Sequence, residues 1–292
     1  MIRIGMIGSD NSHAERFSEL CNLKDFPGGV RGARVVAIYG RDAKRTAEVA
    51  GNAEIPRIVD DPAEMLGEVD AVTVVFRHGG LHCEHALPFL KAGIPTFVDK
   101  PFATSVRDAR KMVRTAREHG TPLTSFSTLR CAPATTEFVK GLRKIGPITA
   151  GLSAGPGDVK SEYGGFIFYG IHAIEIMQEC FGVGVRKVRA AHHKGNLLAT
   201  IEYGGEPIVS LQVLGNATHD FLVTACGKKG VAHSVLATAG CYEAGLRKIL
   251  RMVRTRHEPI PHEHMIEAIA VGEAIQKSLD TGKAASLPRK LL

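Results

Sequence analysis

The stretch IRIGMIGSDNSH, residues 2–13, decides the fold. It opens with a short apolar run that ends at Gly8 and continues into a helical pattern. A strand that turns directly into a helix places backbone N–H groups and a helix N-terminus where they can hold a pyrophosphate. We therefore predict that this stretch forms the first strand, turn and helix start of a nucleotide-binding Rossmann domain.

The turn departs from the usual glycine pattern. A full GxGxxG starting at Gly8 would place glycines at positions 10 and 13, where this chain has Asp10 and His13. The Asp10 carboxylate could crowd or repel a phosphate. The alternative is an ordinary strand-to-helix turn in which Asp10 or Ser12 caps the helix. On the first interpretation, the turn binds the cofactor through Gly8, Ser9, Asp10, Asn11, Ser12 and His13.

Strand and helix patterns alternate through the first 122 residues. Apolar runs typical of parallel strands buried on both faces recur at residues 35–39, 71–76 and 96–98. Helical patterns occupy residues 12–24, 42–51, 62–67, 80–92 and 104–119. This alternation predicts an α/β fold built on a doubly wound parallel sheet.

The pattern changes after Pro122. A last strand at 123–126 and a helix at 133–143 precede a region of strands at residues 148–154, 185–193, 196–203, 207–214 and 219–225. Short turns between strands predict a largely antiparallel sheet, which helices at 168–181 and 261–281 accompany. We predict a dinucleotide-binding Rossmann domain at residues 1–122 and a substrate-binding and oligomerisation α+β domain at residues 123–292.

Composition narrows the class of protein. The chain is 44% hydrophobic and 23% charged, has no run of eighteen apolar residues, and begins without an export signal. Its six cysteines lack CxxC spacing, which favours reduced thiols and the cytoplasm. The net charge of +7 is dispersed, and the densest basic segment, residues 247–256, is either a solvated helix face or a nucleic-acid patch. We expect neither nucleic-acid nor membrane binding and, because no histidine grouping has a complete ligand set, no catalytic metal.

The tip of the second strand bears on cofactor choice. An acidic residue there would bind the ribose diol of NAD, whereas this chain has Gly40 followed by Arg41. Arg41 can accept a 2′-phosphate, or it can simply be an exposed arginine at a helix start. The expected cofactor is NAD or NADP, and Arg41 favours NADP.

Several motifs together resemble a known family. Val98-Asp99-Lys100-Pro101 after residues 92–97 resembles the AGKHVLVEKP signature of the glucose-fructose oxidoreductase, inositol dehydrogenase and MocA family. Residues 81–87 resemble its helix start after the preceding strand, residues 146–148 its entry to the second sheet, and residues 169–175 its D-x-G-x-H-x-x-D helix. The resemblance runs from residue 1 to about 182 and includes the last helix.

The resemblance implies roles for individual residues. It places Lys100 and His172 in the substrate cleft as catalytic residues, because a lysine can bind a substrate hydroxyl and a histidine can act as general acid or base. Arg130 would bind substrate or hold the domain junction. The other expected contacts are Tyr169 and Glu175 to substrate, and Arg77, His82, Asp99 and Lys100 to the cofactor.

The departures from the family affect the proton relay. Phe168 stands where the family has an aspartate, Asp99 replaces a glutamate, and residues 77–79 replace the expected proline-asparagine. Tyr169 or Glu175 can take over part of the missing aspartate's role. Lys100 and His172 then carry proton transfer in a different arrangement, or the usual reaction is lost.

Two functions are consistent with this pattern. The first is an NAD(P)-dependent dehydrogenase or reductase acting on the CH–OH group of a sugar, cyclitol or related polyol derivative. The second is a catalytically silent regulatory protein of the same fold that binds dinucleotide or sugar. Family members commonly assemble through the antiparallel sheet, so we expect a homodimer or homotetramer.

Overall fold

The computed structural model describes residues 1–217, 219–288 and 290–291. Two compact units are present. The first comprises Met1–Ala103, Arg107–Phe126 and Tyr242–His262, and the second comprises Thr104–Val106, Ser127–Cys241 and Glu263–Leu292. The division after residue 122 stays a prediction. Residues 242–262, which belong to the first unit, lie far outside the predicted range of 1–122.

A five-stranded parallel sheet forms the centre of the first unit. Its strands are β1 (Ile2–Ile7), β2 (Ala33–Tyr39), β3 (Ala71–Val74), β4 (Thr96–Val98) and β5 (Leu123–Ser125), in the order β2-β1-β3-β4-β5. The connecting helices are α1 (Ser12–Asn22), α2 (Ala43–Asn52), α3 (His82–Lys91) and α4 (Val106–Glu118). This confirms the doubly wound sheet, and its order places the topological switch point between β1 and β3.

Burial explains why these strands lie at the centre. All four residues of β3 are buried, and so are the last four of β1, as parallel strands covered on both faces require. Asp42 caps α2 by accepting a hydrogen bond from Arg45 N–H. The cap of α1 is Asn11, whose side chain accepts from His13 N–H, and not Asp10 or Ser12, the caps that the alternative interpretation of the turn gave.

A mixed seven-stranded sheet forms the second unit. Its strands are β6 (Ile148–Pro156), β7 (Val185–His193), β8 (Asn196–Tyr203), β9 (Ile208–Leu214), β10 (Phe221–Gly227), β11 (Gly230–Leu236) and β12 (Ala285–Ser286), in the order β11-β10-β6-β9-β8-β7-β12. Only the β6–β9 pair is parallel among the described pairs, which confirms the largely antiparallel sheet.

The remaining helices are α5 (Pro133–Gly141), α6 (Ile167–Phe181), α7 (Cys241–Thr255) and α8 (His262–Thr281). Neither β11 nor the start of α7 was predicted from the sequence, whereas the basic segment at residues 247–256, interpreted as a solvated helix face, lies largely in α7. Helix α6 packs on the sheet, where Ser153 Oγ donates to Ala173 O over 2.8 Å. The opposite face presents exposed apolar side chains, among them Leu198, Val231 and Val235.

The structure also bears on membrane-spanning helices and on disulfide bonds. No helix in the described part of the chain is both long and apolar enough to cross a membrane. All six cysteines are free thiols.

Candidate functional site

The carboxyl ends of β1 and β3 approach closely at Gly8. This residue has φ +107°, and a Cβ atom added to it would lie 2.8 Å from Phe76 N and 3.0 Å from Val75 C. Real Cβ atoms essentially never come so close to backbone. Glycine is therefore required at the switch point, for the positive φ and for the contact between the two strand ends.

The turn from β1 into α1 offers backbone donors to a ligand. Within the described part of the chain, the N–H groups of Ser9, Asp10 and Asn11 donate to no other group of the protein. The Asp10 carboxylate accepts from Arg77 N–H at 3.2 and 3.3 Å, which holds this charge on the β3 side of the turn. The turn therefore fits an anionic group such as a dinucleotide pyrophosphate, with Asp10 as an opposing charge near it.

Behind the turn lies a buried polar cluster of Asn11, His13 and Asp99. Asn11 Nδ2 donates to Asp99 Oδ2 over 2.9 Å, and His13 Nδ1 lies 2.7 Å from the same oxygen. The His13 contact is close enough for an ion pair, but it is poorly aligned for a hydrogen bond, and Asp99 Oδ1 has no hydrogen-bond partner among the described residues. Burial opposes ionisation of Asp99, but His13 and Lys100 outweigh it and hold the pKa of Asp99 below its usual range.

Lys100 follows Asp99 at the end of β4 and is 4% exposed. The neighbouring His82 ring contacts two backbone carbonyl oxygens, Pro101 O at 2.9 Å and Phe76 O at 2.8 Å. Burial lowers the pKa of His82. His82 thus ties the end of β3 to the segment after Lys100, and its predicted contact to the cofactor stays a prediction.

The tip of β2 has no space for the acidic residue that binds the ribose of NAD in many Rossmann domains. A Cβ atom on Gly40 would lie 2.1 Å from both Ser9 Oγ and Thr46 Oγ1. These two hydroxyls are 2.9 Å apart and occupy the position beside the strand tip. Arg41 follows and is exposed.

In the second unit, Ser127 positions His172. Ser127 Oγ lies 2.6 Å from His172 Nδ1 and accepts from Leu129 N–H over 3.2 Å. Because a hydroxyl oxygen can accept two hydrogen bonds, Ser127 Oγ can either donate to Nδ1 or accept from it, according to the tautomer of the ring. In both cases the bond fixes the ring so that Nε2 is the nitrogen that does not contact Ser127.

An ionic network on the same face of α6 supports this pair. Glu175 Oε2 accepts from Ser127 N–H over 2.7 Å and from Arg130 over 3.3 Å, and Arg130 Nε donates to Glu179 over 2.6 Å. Burial raises the pKa of Glu175, and Arg130 offsets this only in part. Arg130 and Glu175 bind each other, which favours a structural role over the substrate contacts predicted for them.

Aromatic rings surround the other side of His172. The Tyr169 ring lies 4.9 Å from the imidazole in an edge-on arrangement, and Phe221 lies 5.4 Å away. Tyr169 is 38% exposed, and its predicted contact to substrate stays a prediction.

The structure brings most of the predicted residues into two groups. The turn residues, Arg77, His82, Asp99 and Lys100 gather in the first unit, and Tyr169, His172, Arg130 and Glu175 gather in the second. Sequence reasoning missed Ser127; its only signal is its position as the cap of the turn over Thr128–Cys131. Within the described ranges, no group of three or more His, Cys, Asp or Glu side chains could hold a metal.

The fold and the turn at Gly8 define a protein with a nucleotide-binding Rossmann domain. Residues 2–126 match the family described as an oxidoreductase family with an NAD-binding Rossmann fold. Residues 2–126 are thus similar to the GFO/IDH/MocA oxidoreductase family, which confirms, for this part of the chain, the resemblance drawn from the motifs.

Known relatives and solved structures agree with this assignment. The chain is 34% identical to inositol 2-dehydrogenase 3 of Saccharopolyspora erythraea over 52% of its own length and 44% of that protein. It is 30% identical to an NADP(+)-dependent scyllo-inositol 2-dehydrogenase of Bacillus subtilis over 51% and 43%. The matched segment thus spans less than half of each relative.

The structural similarity to solved proteins extends over the whole chain. A myo-inositol dehydrogenase from Lactobacillus casei, solved with NAD(H) and myo-inositol, superimposes with a TM-score of 0.86 at 15% identity, covering 99% of this chain and 98% of that one. At this identity the match establishes a shared fold for both units.

Proposed function

We propose that this protein is an NAD(P)-dependent oxidoreductase that transfers a hydride to or from a sugar, cyclitol or related polyol derivative. The proposal rests mainly on the backbone N–H groups of residues 9–11, which lie beside Gly8 at the switch point. Within the described part of the chain, these groups donate no hydrogen bond to the protein. The relatives named as inositol dehydrogenases support a substrate with CH–OH groups.

The residues around the turn fit the cofactor's phosphates. The N–H groups of Ser9, Asp10 and Asn11 would hold the pyrophosphate, while Asp99 keeps Asn11 and His13 in place from behind. When bound, the nicotinamide supplies or accepts the hydride.

Lys100 and His172 manage the reacting oxygen and its proton in this proposal. The Lys100 ammonium donates a hydrogen bond to the substrate oxygen and stabilises negative charge that develops there. His172 acts through Nε2, the nitrogen that does not contact Ser127: as an imidazolium it donates a proton to the oxygen in the reductive direction and becomes neutral, and as a neutral imidazole it takes the proton back in the oxidative direction. Ser127 acts on the reaction only through His172.

We propose that the cofactor is NADP. Ser9 and Thr46 fill the space in which an acidic side chain at position 40 would have to stand, so the usual carboxylate partner of the NAD ribose has no place there. Arg41 would bind the 2′-phosphate through its guanidinium. Replacing Arg41 with Ala should weaken NADPH binding about tenfold and leave NADH binding unchanged, as titration calorimetry would measure.

The test of the reaction combines cofactor binding with turnover. Thermal shifts with NAD, NADH, NADP and NADPH come first, and a panel of inositols, aldoses and polyols follows with the cofactor that binds. Lys100→Ala should lower kcat/KM at least 100-fold in a protein that still folds, as circular dichroism would show. The exposed Lys91→Ala is the matched control. Cofactor binding without turnover on any substrate would instead favour the silent regulatory protein.

The proposal also includes an oligomeric state and a cellular compartment. The exposed apolar face of the second sheet suits a homodimer or homotetramer. Six free thiols suit a reducing compartment, the cytoplasm.

A further inference from the structure

A cavity of about 430 Å³ lies in the second unit, at the ends of β6 and β9 and beside the start of α6. Three aromatic rings line it, those of Tyr163, Phe168 and Tyr169. The carboxylates of Asp158 and Glu162 stand at its edge, where both residues are exposed. A volume of this size falls in the range of small-molecule sites.

The rings form a continuous aromatic wall. Tyr163 and Phe168 are 4.9 Å apart between centroids, and Phe168 and Tyr169 are 5.8 Å apart. Carbohydrate rings have apolar C–H faces and polar hydroxyl edges, so they stack on such walls while their hydroxyls donate to nearby carboxylates. Phe168 belongs to the wall at the position where the family has an aspartate.

The cavity is separate from the reacting position. Tyr169 contacts His172 and also lines the cavity, but His172 is absent from the described lining. A ring stacked on Tyr163 would therefore lie beside the position of an oxygen that meets His172, and not at that position.

The charge of the lining limits what can bind. Asp158 and Glu162 are its formally charged side chains among the described residues, with His219 the remaining titratable group apart from Tyr163 and Tyr169. Asp158 Oδ1 accepts from Lys160 N–H, which fixes that carboxylate at the cavity edge. In a protein of net charge +7, this local negative charge disfavours phosphorylated or carboxylated rings and suits neutral or amino-substituted ones.

We propose that this cavity is a subsite for a second carbohydrate ring, neutral or amino-substituted, in a substrate whose first ring reacts at His172. The proposal rests on the proposed function and extends it: the preferred substrate is a glycoside of two rings and not a single sugar or cyclitol. Tyr163 and Tyr169 stack on the second ring, and Asp158 and Glu162 accept its hydroxyl or ammonium protons.

Kinetics would test the subsite directly. The intact protein with its cofactor is assayed on glucose and myo-inositol and on the disaccharides cellobiose, maltose and trehalose. At least one disaccharide should exceed the best single-ring substrate about tenfold in kcat/KM, because stacking on one aromatic face is worth about a factor of ten. Tyr163→Ala should remove this advantage and change single-ring turnover less than about twofold. Tyr203→Ala, a tyrosine of the same unit outside the cavity, should leave the advantage intact.

Binding measured without turnover separates the two proposals. Saturation-transfer NMR compares trehalose with trehalose 6-phosphate; the wild type should bind the first and reject the second, and Asp158→Asn with Glu162→Gln should narrow the difference. Glu202→Gln is the control carboxylate. Disaccharide binding that depends on Tyr163 in a protein with no turnover would support the subsite and overturn the oxidoreductase. Turnover of single rings with no disaccharide binding, or with binding unaffected by Tyr163→Ala, would overturn the subsite alone.

Discussion

Asp99 shows how one side chain organises the first unit. It is fully buried, holds Asn11 and His13 behind the β1–α1 turn, and precedes Lys100 in the chain. The fold favours the ionised form of Asp99. The same charged side chain therefore orders the β1–α1 turn and stands next to the candidate catalytic lysine in the chain. Two predictions belong to single residues.

The first concerns Asp99→Asn. The folded protein holds the pKa of Asp99 below that of the unfolded chain, about 3.9. Its ionic contribution is therefore complete above that pH and is lost as the pH falls through the folded value. Asp99→Asn should lower the free energy of unfolding by about 3 kcal/mol at pH 7, and by less near pH 3. Urea denaturation at both pH values measures this, with exposed Asp60→Asn as the control; a pH-independent difference would contradict it.

The second prediction concerns Ser127→Ala. Loss of the hydroxyl frees His172 to take the other tautomer or to turn, so kcat should fall about tenfold, equivalent to one hydrogen bond. KM and the unfolding midpoint should change little, as they should in the control Ser210→Ala. An unaltered kcat would show that Ser127 has no influence on His172.

At the scale of elements, contacts between chain segments position the candidate site. The β1–β3 junction depends on Gly8, and the segment over residues 127–131 is held on α6 by Arg130, Glu175 and Glu179. A substitution at either junction should therefore lower the stability of the protein.

Gly8→Ala should destabilise the first unit by about 1–3 kcal/mol, because alanine would adopt a positive φ and press on the Phe76 backbone. Gly51→Ala is the matched control. Gly51 lies in α2 with nothing within 4 Å of an added Cβ, and alanine there should stabilise the protein by about 0.5–1 kcal/mol. Thermal and urea denaturation would measure both. Equal effects of the two substitutions would contradict the close approach at Gly8.

Arg130→Met should be strongly destabilising. It leaves Glu175 buried with a single remaining donor, Ser127 N–H, and removes the partner of Glu179. Loss of one member of a buried ion pair costs about 3–5 kcal/mol, which urea denaturation would measure. Adding Glu175→Gln should restore part of this loss, because the unpaired charge is removed. If the double variant is no more stable than Arg130→Met, the pair is not coupled.

Elements whose apolar residues follow a clear strand or helix pattern could be predicted from the sequence, and elements without such a pattern could not. The buried runs of β1 and β3 and the capped helix α2 were predictable because burial on both faces and Asp42 leave direct signals. The α1 cap was assigned wrongly because Asp10, Asn11 and Ser12 are all good capping residues, and only the contact of Asp10 with Arg77 separates them. Only the basic half of helix α7 was indicated, as a solvated helix face at residues 247–256, because its first residues carry no clear start signal.

The candidate site was predictable residue by residue but not as a set of contacts. The motifs indicated Lys100 and His172, since their neighbours in sequence resemble a family. The bonds from Asp99 to Asn11 and from Ser127 to His172 join residues 88 and 45 positions apart. Their existence depends on sheet order and on packing against α6, which no local pattern encodes.

At the scale of the whole molecule, the second sheet leaves one face open. Register places Val231 and Val235 of β11 on the same face as Cys226 and Leu222 of β10. Val231 is 64% exposed and Val235 is 63% exposed. An apolar face of this kind is typical of a surface that packs against the same surface of a second copy in a symmetric homo-oligomer.

A double substitution tests assembly. Val231→Lys with Val235→Lys should convert the proposed homo-oligomer to a smaller species, because burying two charges without partners is unfavourable. Light scattering after size exclusion would show the change in mass. Lys substitutions at exposed Glu54 and Glu206 provide the control, and an unchanged mass in the Val231 and Val235 variant would exclude this face.

The contribution of residues 242–262 to the first unit has a consequence for biosynthesis. Tyr242 packs on His13, Glu258 accepts from Leu123 N–H, and Arg117 bonds His262, so the nucleotide-binding unit is incomplete when its last strand is made. At about 5–20 residues per second, a ribosome needs roughly ten seconds more to deliver that segment. During this interval the rings of His13 and Phe17 lack the Tyr242 ring that packs on them in the folded protein. Cotranslational chaperones would find their binding sites there.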